Sequence, residues 1–501
     1  MKKYIIAITA LLASLSSVNI YAQESFEEFR KRNSQAFDGF KQSEEAKFEA
    51  FRKRINTEYA NMVEKAWTEM NALRAIPAPK DDKPVPPKVF PEEDIKKPIK
   101  NETKPVKDVI PVVTPTPQPE PVVPIKESPK PVECFHKFTF YRLNLKIRFY
   151  DKQRIHLPSC QEKDIANTWK EMSNSDMENT LKDCLDLRSE LGYCDWAYLQ
   201  MLDTIAKTIY PKDSNEATLF FAYLYCQSGY KMRLATNKNK LYLLFATKHS
   251  IYDKMYWNID GDKFYPLDCS LSSLNICAAS FPGEKPLSLY IPQAQNFGKD
   301  PSSSRFFSRD LISKRYPNVT ATVCMYTNLI DFYNTYPTSC INNDFGTRWA
   351  MYANTPMDEC VQISLYPDLM SAISGLSQKE SVERLLNFVQ TGFTYEYDDK
   401  VWGHDRAFFS EETLYYPFCD CEDRAILFSR IVRDLLHLNV VLIYYPGHLA
   451  SAVEFTSAVK GDNIQVGGRR YVICDPTYIG APVGTTMPDM DNSKATVILL
   501  N

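Results

Sequence analysis

Half of the chain's 32 prolines fall within residues 77–132. Proline fixes φ and carries no N–H, so "PVVTPTPQPEPVVPIKESPKP" excludes both a helix and a central strand. Residues 76–132 read as a semi-extended linker, able to reach on the order of 150 Å at about 3 Å per residue. Such a stretch divides the chain, and what lies on either side must find its own core.

Ahead of the linker, the pairs Phe26/Phe29, Phe37/Phe40, Phe48/Phe51, Tyr59/Met62 and Met70/Leu73 recur every 11 residues. Eleven residues make almost three helical turns, so the pairs form a nearly straight apolar stripe. The spacing predicts a long amphipathic helix over 23–75, weakened at Gly39 and tethered apart from the rest. A stripe shows that something is buried but not what. It packs on the protein's own body or on a second copy, or else it docks on a protein or envelope partner.

The first residues, "MKKYIIAITALLASLSSVNIYAQ", place Lys2 and Lys3 before the apolar run Ile5–Leu15 and end in small residues. That order predicts a signal peptide over 1–22 and a periplasmic or secreted product. The run is too short to span a bilayer, and no later stretch is apolar enough to do so. Thirteen cysteines in an exported chain allow disulfides, with one left over in a monomer. A net charge of −3 gives no reason to expect nucleic acid as a partner.

Beyond the linker the pattern is α+β. Residues 196–210, 215–230, 379–393 and 421–436 read as helices. "KLYLLFA", "YDKMYWNI" and "DKFYPLD" read as strands in the first part, and "NVVLIYY", "HLASAVEF" and "RRYVICD" in the last. Residues 283–365 read as a β-rich middle region. Asn215, Ala217, Leu219 and Phe220 fall against Asp423, Ala425, Leu427 and Phe428 at one offset, and the closing strands end on Asp268 and Asp475. These matches predict a duplication, with one copy in 133–282 and the other in 366–501.

The second copy holds the chemistry. In "YYPFCDCEDRAILF" a helix that starts near Asp420 places Cys421, Ala425, Phe428, Val432 and Leu435 on one inward face. Cys421 then lies in the first turn, where free N–H groups and the dipole favour a thiolate and an oxyanion. Asp420 is the expected N-cap. A thiolate nucleophile needs a base with an orienting partner. Of six histidines, His437 is explained by the helix C-terminus, whereas His448 follows the turn "YPG" and opens a strand. One strand later comes Asp475. A zinc set of Cys419, Cys421, His448 and Cys474 is disfavoured by the two-residue cysteine spacing.

At "CDCEDRA", "GHLASAV" and "CDPTY" the chain resembles the transglutaminase-like superfamily, whose core is related to papain-type proteases. The resemblance covers about residues 379–485. It implies Cys421 as nucleophile, His448 as general base and acid, and Asp475 as the orienter of His448. The activity implied is acyl transfer on a peptide bond or a glutamine amide, by a peptidase, deamidase or transglutaminase acting on a peptide or protein. The alternative is a non-catalytic scaffold of the same fold that binds a peptide or glycan. No cofactor or metal is implied, and no acidic cluster suited to calcium is visible. The family usually has Gly where Cys419 stands. Trp402 is the nearest candidate for a group that helps form an oxyanion hole. In the first copy Asp213 stands at the nucleophile's place and His249 lies past the base's place, so that copy is expected to be catalytically dead.

Overall fold

The structure, a computed structural model, describes residues 26–78, 84–127, 134–267, 271–298 and 305–501. The expected signal peptide and Asp268 lie outside the described residues. The chain divides into two units, Met1–Arg54 and Ile55–Asn501. In the first, residues 26–54 belong to helix α1 (Phe26–Val63), on which Phe37, Phe40, Phe48 and Phe51 are exposed.

From Ile55 onward the chain is one mixed α/β body. The last turns of α1 are part of its core, with Ile55, Tyr59, Ala60 and Val63 buried. Asn56 is buried as well, and its Oδ1 accepts from Trp169 Nε1 at 3.0 Å and Gln227 Nε2 at 2.9 Å. The helix stops at Val63, and Trp67–Asn71 forms a strand, β1, so the expected continuation to 75 is corrected. Met70 and Leu73 keep the 11-residue spacing but leave the helix, because an open sheet edge offers residues 67–71 a full set of main-chain partners.

The proline-rich stretch is not a free tether. It supplies two short strands, β2 (Thr103–Lys104) and β3 (Asp108–Ile110), to a sheet edge each. Farther along, Gln118 Nε2 donates to Tyr193 O at 2.9 Å and Arg188 donates to Pro119 O at 2.9 Å. Proline is tolerated where only one side of a strand is paired, and the residues between prolines supply the donors. Removal of residues 23–132 would therefore strip three strands and Asn56 from the body.

Each half then builds the same assembly. Helix α2 (Asn215–Gln227) leads into β4 (Met232–Asn237), β5 (Lys240–Thr247), β6 (Trp257–Ile259), β7 (Asp262–Pro266) and β8 (Ser273–Cys277), a sheet ordered β1-β8-β4-β5-β7-β6. The middle region is more helical than expected. "VQISLY" lies inside helix Glu359–Ile373, capped by Asp358 and buried through Val361, Leu365, Leu369 and Ile373, a spacing of four. Its strands among the described residues are the hairpin Phe306–Ile312/Thr320–Tyr326 and the short Ser339–Cys340. Helix α3 (Thr347–Asn354) and helix α4 (Gln378–Gly392) follow. The pair β9 (Thr394–Tyr395) and β10 (Phe418–Cys419) then introduces helix α5 (Cys421–Leu436).

After α5 come β11 (Val440–Tyr445), β12 (His448–Val453), β13 (Asn463–Val466), β14 (Arg469–Cys474) and β15 (Thr496–Leu499). Their sheet is ordered β2-β13-β14-β12-β11-β15-β3. Read from β15 to β13, this repeats the order β8-β4-β5-β7-β6, all antiparallel in both sheets. Lys240 and His448 are the first residues of equivalent strands. The strand β4 has no counterpart among the expected elements, since "MRLATN" lacks a clean alternation and is buried through both faces. Every described cysteine is a free thiol, so the disulfides that the composition allows do not form among these residues.

Candidate functional site

Helix α5 begins as its residues require. Asp420 is the N-cap, and its Oδ1 accepts from Glu422 N at 3.1 Å and Asp423 N at 3.5 Å. Asp423 returns the bond by accepting from Asp420 N at 3.1 Å, which completes a capping box. This leaves the Cys421 N–H unclaimed by the cap. Ala425, Phe428, Val432 and Leu435 are buried on the expected face.

The turn Pro446–Gly447, with Gly447 at φ +78°, returns the chain so that Tyr445 pairs with His448. His448 Nε2 lies 2.9 Å from Asp475 Oδ2, and both side chains are buried. A carboxylate only accepts, so Nε2 carries a proton, and in the neutral ring Nδ1 presents its lone pair. Nδ1 is buried without a hydrogen-bond partner. The other oxygen of Asp475 accepts from Thr477 N at 2.8 Å and Tyr478 N at 3.2 Å, which fixes the carboxylate plane. The structure thus brings two of the three expected residues into contact. Cys421 lies close to the same strand, because α5 packs on β12 and the Leu449 N–H is near enough to the sulfur to favour its thiolate. A Cys421–His448 hydrogen bond is not made, since Nδ1 is unpartnered.

The thiol differs from expectation. Burial first, then the charges of Asp420 and Glu422, push Cys421 well above its ordinary value, and the Leu449 N–H offsets this only in part. The helix terminus alone would favour a thiolate, but desolvation of an enclosed sulfur outweighs it. The resting residue is a thiol.

Around the first turn lies an acidic cluster that the sequence did not reveal. Oxygens of Asp398, Asp405 and Glu422 lie within 4.8 Å of one another. These residues are up to 24 positions apart and converge only through folding. The buried guanidinium of Arg348, on α3, bonds to Asp405 and to Glu422 Oε2 at 3.2 Å, and Trp349 Nε1 donates to the same oxygen at 2.9 Å. Arg348 supplies the positive charge that these carboxylates share. Burial, then Glu422 and Asp405, raise Asp398 to about 8, so at neutral pH it holds a proton and its own negative charge is withdrawn.

Two further residues were missed. Gln390, on α4, donates through Nε2 to the carbonyls of Asp475 (3.0 Å), Tyr478 (2.8 Å) and Ala481 (3.1 Å), and accepts from Gly480 N at 3.1 Å. It orders the loop that holds Asp475. Tyr395, on β9, has a buried hydroxyl without a partner. Burial, then the charges at Cys421 and Asp420, raise that phenol, so it lies within electrostatic reach of the sulfur. Trp402 packs instead on Tyr416 and Phe408, at 4.9 and 5.8 Å between ring centres, with the Arg406 guanidinium 4.4 Å from its ring. An orphan hydroxyl can be found only in three dimensions.

Cys419 is buried, and its sulfur accepts from Arg424 Nε at 3.4 Å. Burial raises its thiol, with Arg424 opposing. In the first copy, Asn215 opens α2 under a Ser214 cap, and the Lys240 ammonium bonds to the Asp213 carbonyl oxygen. Asp213, Lys240 and Leu267 border a cleft of about 510 Å³ there. Compared with known proteins, the chain matches no family model, no curated protein and no solved structure.

Proposed function

We propose that the chain is a cysteine acyl-transfer enzyme with a transglutaminase-like core, acting on peptide or glutamine amide bonds. The observation that carries this reading is the pair His448–Asp475 at 2.9 Å, with Nδ1 unpartnered and the first turn of α5, which carries Cys421, packed near the same strand. His448 Nδ1 takes the thiol proton as the sulfur bonds to the carbonyl carbon. The carbonyl oxygen gains charge, for which the Cys421 N–H and the Tyr395 hydroxyl are the nearby donors. As the C–N bond breaks, His448 gives the proton to the leaving amine. Water or an amine then loses a proton to His448, bonds to the carbonyl carbon and displaces the sulfur, which recovers the proton.

The raised thiol favours a second reading, a non-catalytic scaffold of the same fold that binds a peptide or glycan. Site-resolved alkylation separates the two. Iodoacetamide at mildly alkaline pH should label Cys421 in the wild type and at least tenfold more slowly in His448→Ala, whereas Cys419 should stay unlabelled. Equal rates at Cys421 in both proteins would sink the acyl-transfer reading.

A further inference from the structure

The two loops that carry His448 and Asp475 are covered by a piece of the proline-rich stretch. Val85 N donates to Gly447 O at 2.8 Å, immediately before His448. Ile479 N donates to Lys88 O at 2.8 Å, and Phe90 N donates to Ile479 O at 2.8 Å. Val89 and Ile479 form a parallel bridge, just past Asp475. The segment runs across the ends of β12 and β14 as an added extended chain, and Pro84, Pro86 and Pro87 keep it from coiling.

Its side chains are read as well. The Phe90 ring meets Tyr478 edge-on at 5.5 Å, and with Val85 it packs into a small cluster of Tyr478, Ala481, Met487 and Met490. The Lys88 ammonium pairs with Asp489 and donates to Pro488 O at 3.1 Å. Val89, between them, is 73% exposed. Nearby, His448 and Asp475 are only 1% and 3% exposed, and Cys421 is 7% exposed.

We propose that this shelf is the substrate-binding site, that its ligand is an extended peptide with an aromatic residue for the apolar pocket and a basic residue two positions earlier, and that residues 84–90 occupy it as an internal pseudosubstrate. Main-chain pairing holds any extended peptide, and the Phe90 pocket and Asp489 select the sequence. The inference rests on the acyl-transfer reading for its meaning, but the shelf can be tested without it. A tethered occupant competes at an effective concentration in the millimolar range, so it excludes weak free peptides.

The probe is a fluorescein-labelled peptide, Val-Pro-Pro-Lys-Val-Phe, a copy of residues 85–90. The full chain and its Val85→Pro/Phe90→Ala variant are titrated by fluorescence anisotropy. The variant lacks the Val85 N–H and the ring, and should bind the probe at least tenfold more tightly than the wild type. A probe ending in Ala should lose about tenfold in affinity for the variant. Equal binding by the two proteins, or none by either, overturns the proposal. If the double variant does not fold by its thermal transition, Phe90→Ala alone is used with the same expectation. Iodoacetamide labelling of Cys421 and its dependence on His448 read the triad separately, so the chemistry can fail while the shelf stands, and the reverse.

Discussion

Gln390 Nε2 donates to the main-chain oxygen of Asp475 at 3.0 Å, across 85 residues of sequence. One buried amide thereby sets the height of the carboxylate that orients His448. Gln390→Ala leaves three carbonyls and the Gly480 N–H without that partner. The expected cost is about 2–4 kcal/mol of stability in denaturant unfolding. Gln390 is a positioning residue, so the pH profile of Cys421 alkylation should also shift. An unchanged profile at lower stability would leave it a purely structural role.

Tyr395→Phe separates an oxyanion donor from a packing residue. The buried hydroxyl has no partner, so its removal should leave stability unchanged or raise it by about 1 kcal/mol. Turnover of an amide or activated ester should fall about 10²–10³-fold. Alkylation by iodoacetamide forms no oxyanion and should keep its wild-type rate. A parallel loss in both reactions would place Tyr395 in the support of Cys421 instead.

The two cysteines of the motif should part company. Cys421→Ala removes the proposed nucleophile and should abolish acyl transfer. Cys419→Ala leaves Arg424 Nε without its acceptor and should cost about 1–3 kcal/mol in thermal unfolding, with turnover largely kept. Full activity in Cys421→Ala with loss in Cys419→Ala would reverse the assignment.

Buried carboxyls give stability a pH slope. Burial holds Glu411 at about 8 against the lowering effect of the Asp358 N–H, and burial holds Glu412 at about 6. Both values lie above those of an unfolded chain, near 4.3. The folded state keeps protons that the unfolded state releases, so this contribution is complete below about pH 4 and is lost as pH rises toward 8. Glu411→Gln keeps an oxygen for the Asp358 N–H, now accepted at 2.6 Å. The variant should therefore melt higher than wild type at pH 8 and close to it at pH 4.5. A wild type more stable than the variant at pH 8 would show that Glu411 is ionised in the fold.

Local pattern determined much of the second half. The apolar spacing from Cys421 to Leu435 gives α5 and its inward face, and Asp420 ahead of that run gives the cap. The turn at Pro446–Gly447 puts His448 at the head of a strand, and "RRYVIC" is a strand that delivers Asp475, although the intervening β13 is not among the expected strands and makes this the next strand but one. Those features depend on neighbours in sequence, so they can be read there.

Tertiary structure decided the rest. Residues 67–71 left the helical register because a sheet edge was open to them, and the proline-rich stretch became edge strands and a cover for the same reason. Asp398, Asp405 and Glu422 meet around Arg348 from separate elements. The state of the Cys421 thiol follows from how completely it is enclosed, and a helix terminus read from sequence carries no information about that. Pairing of distant backbone and the desolvation of charge depend on what the whole chain brings together, and no local window contains them.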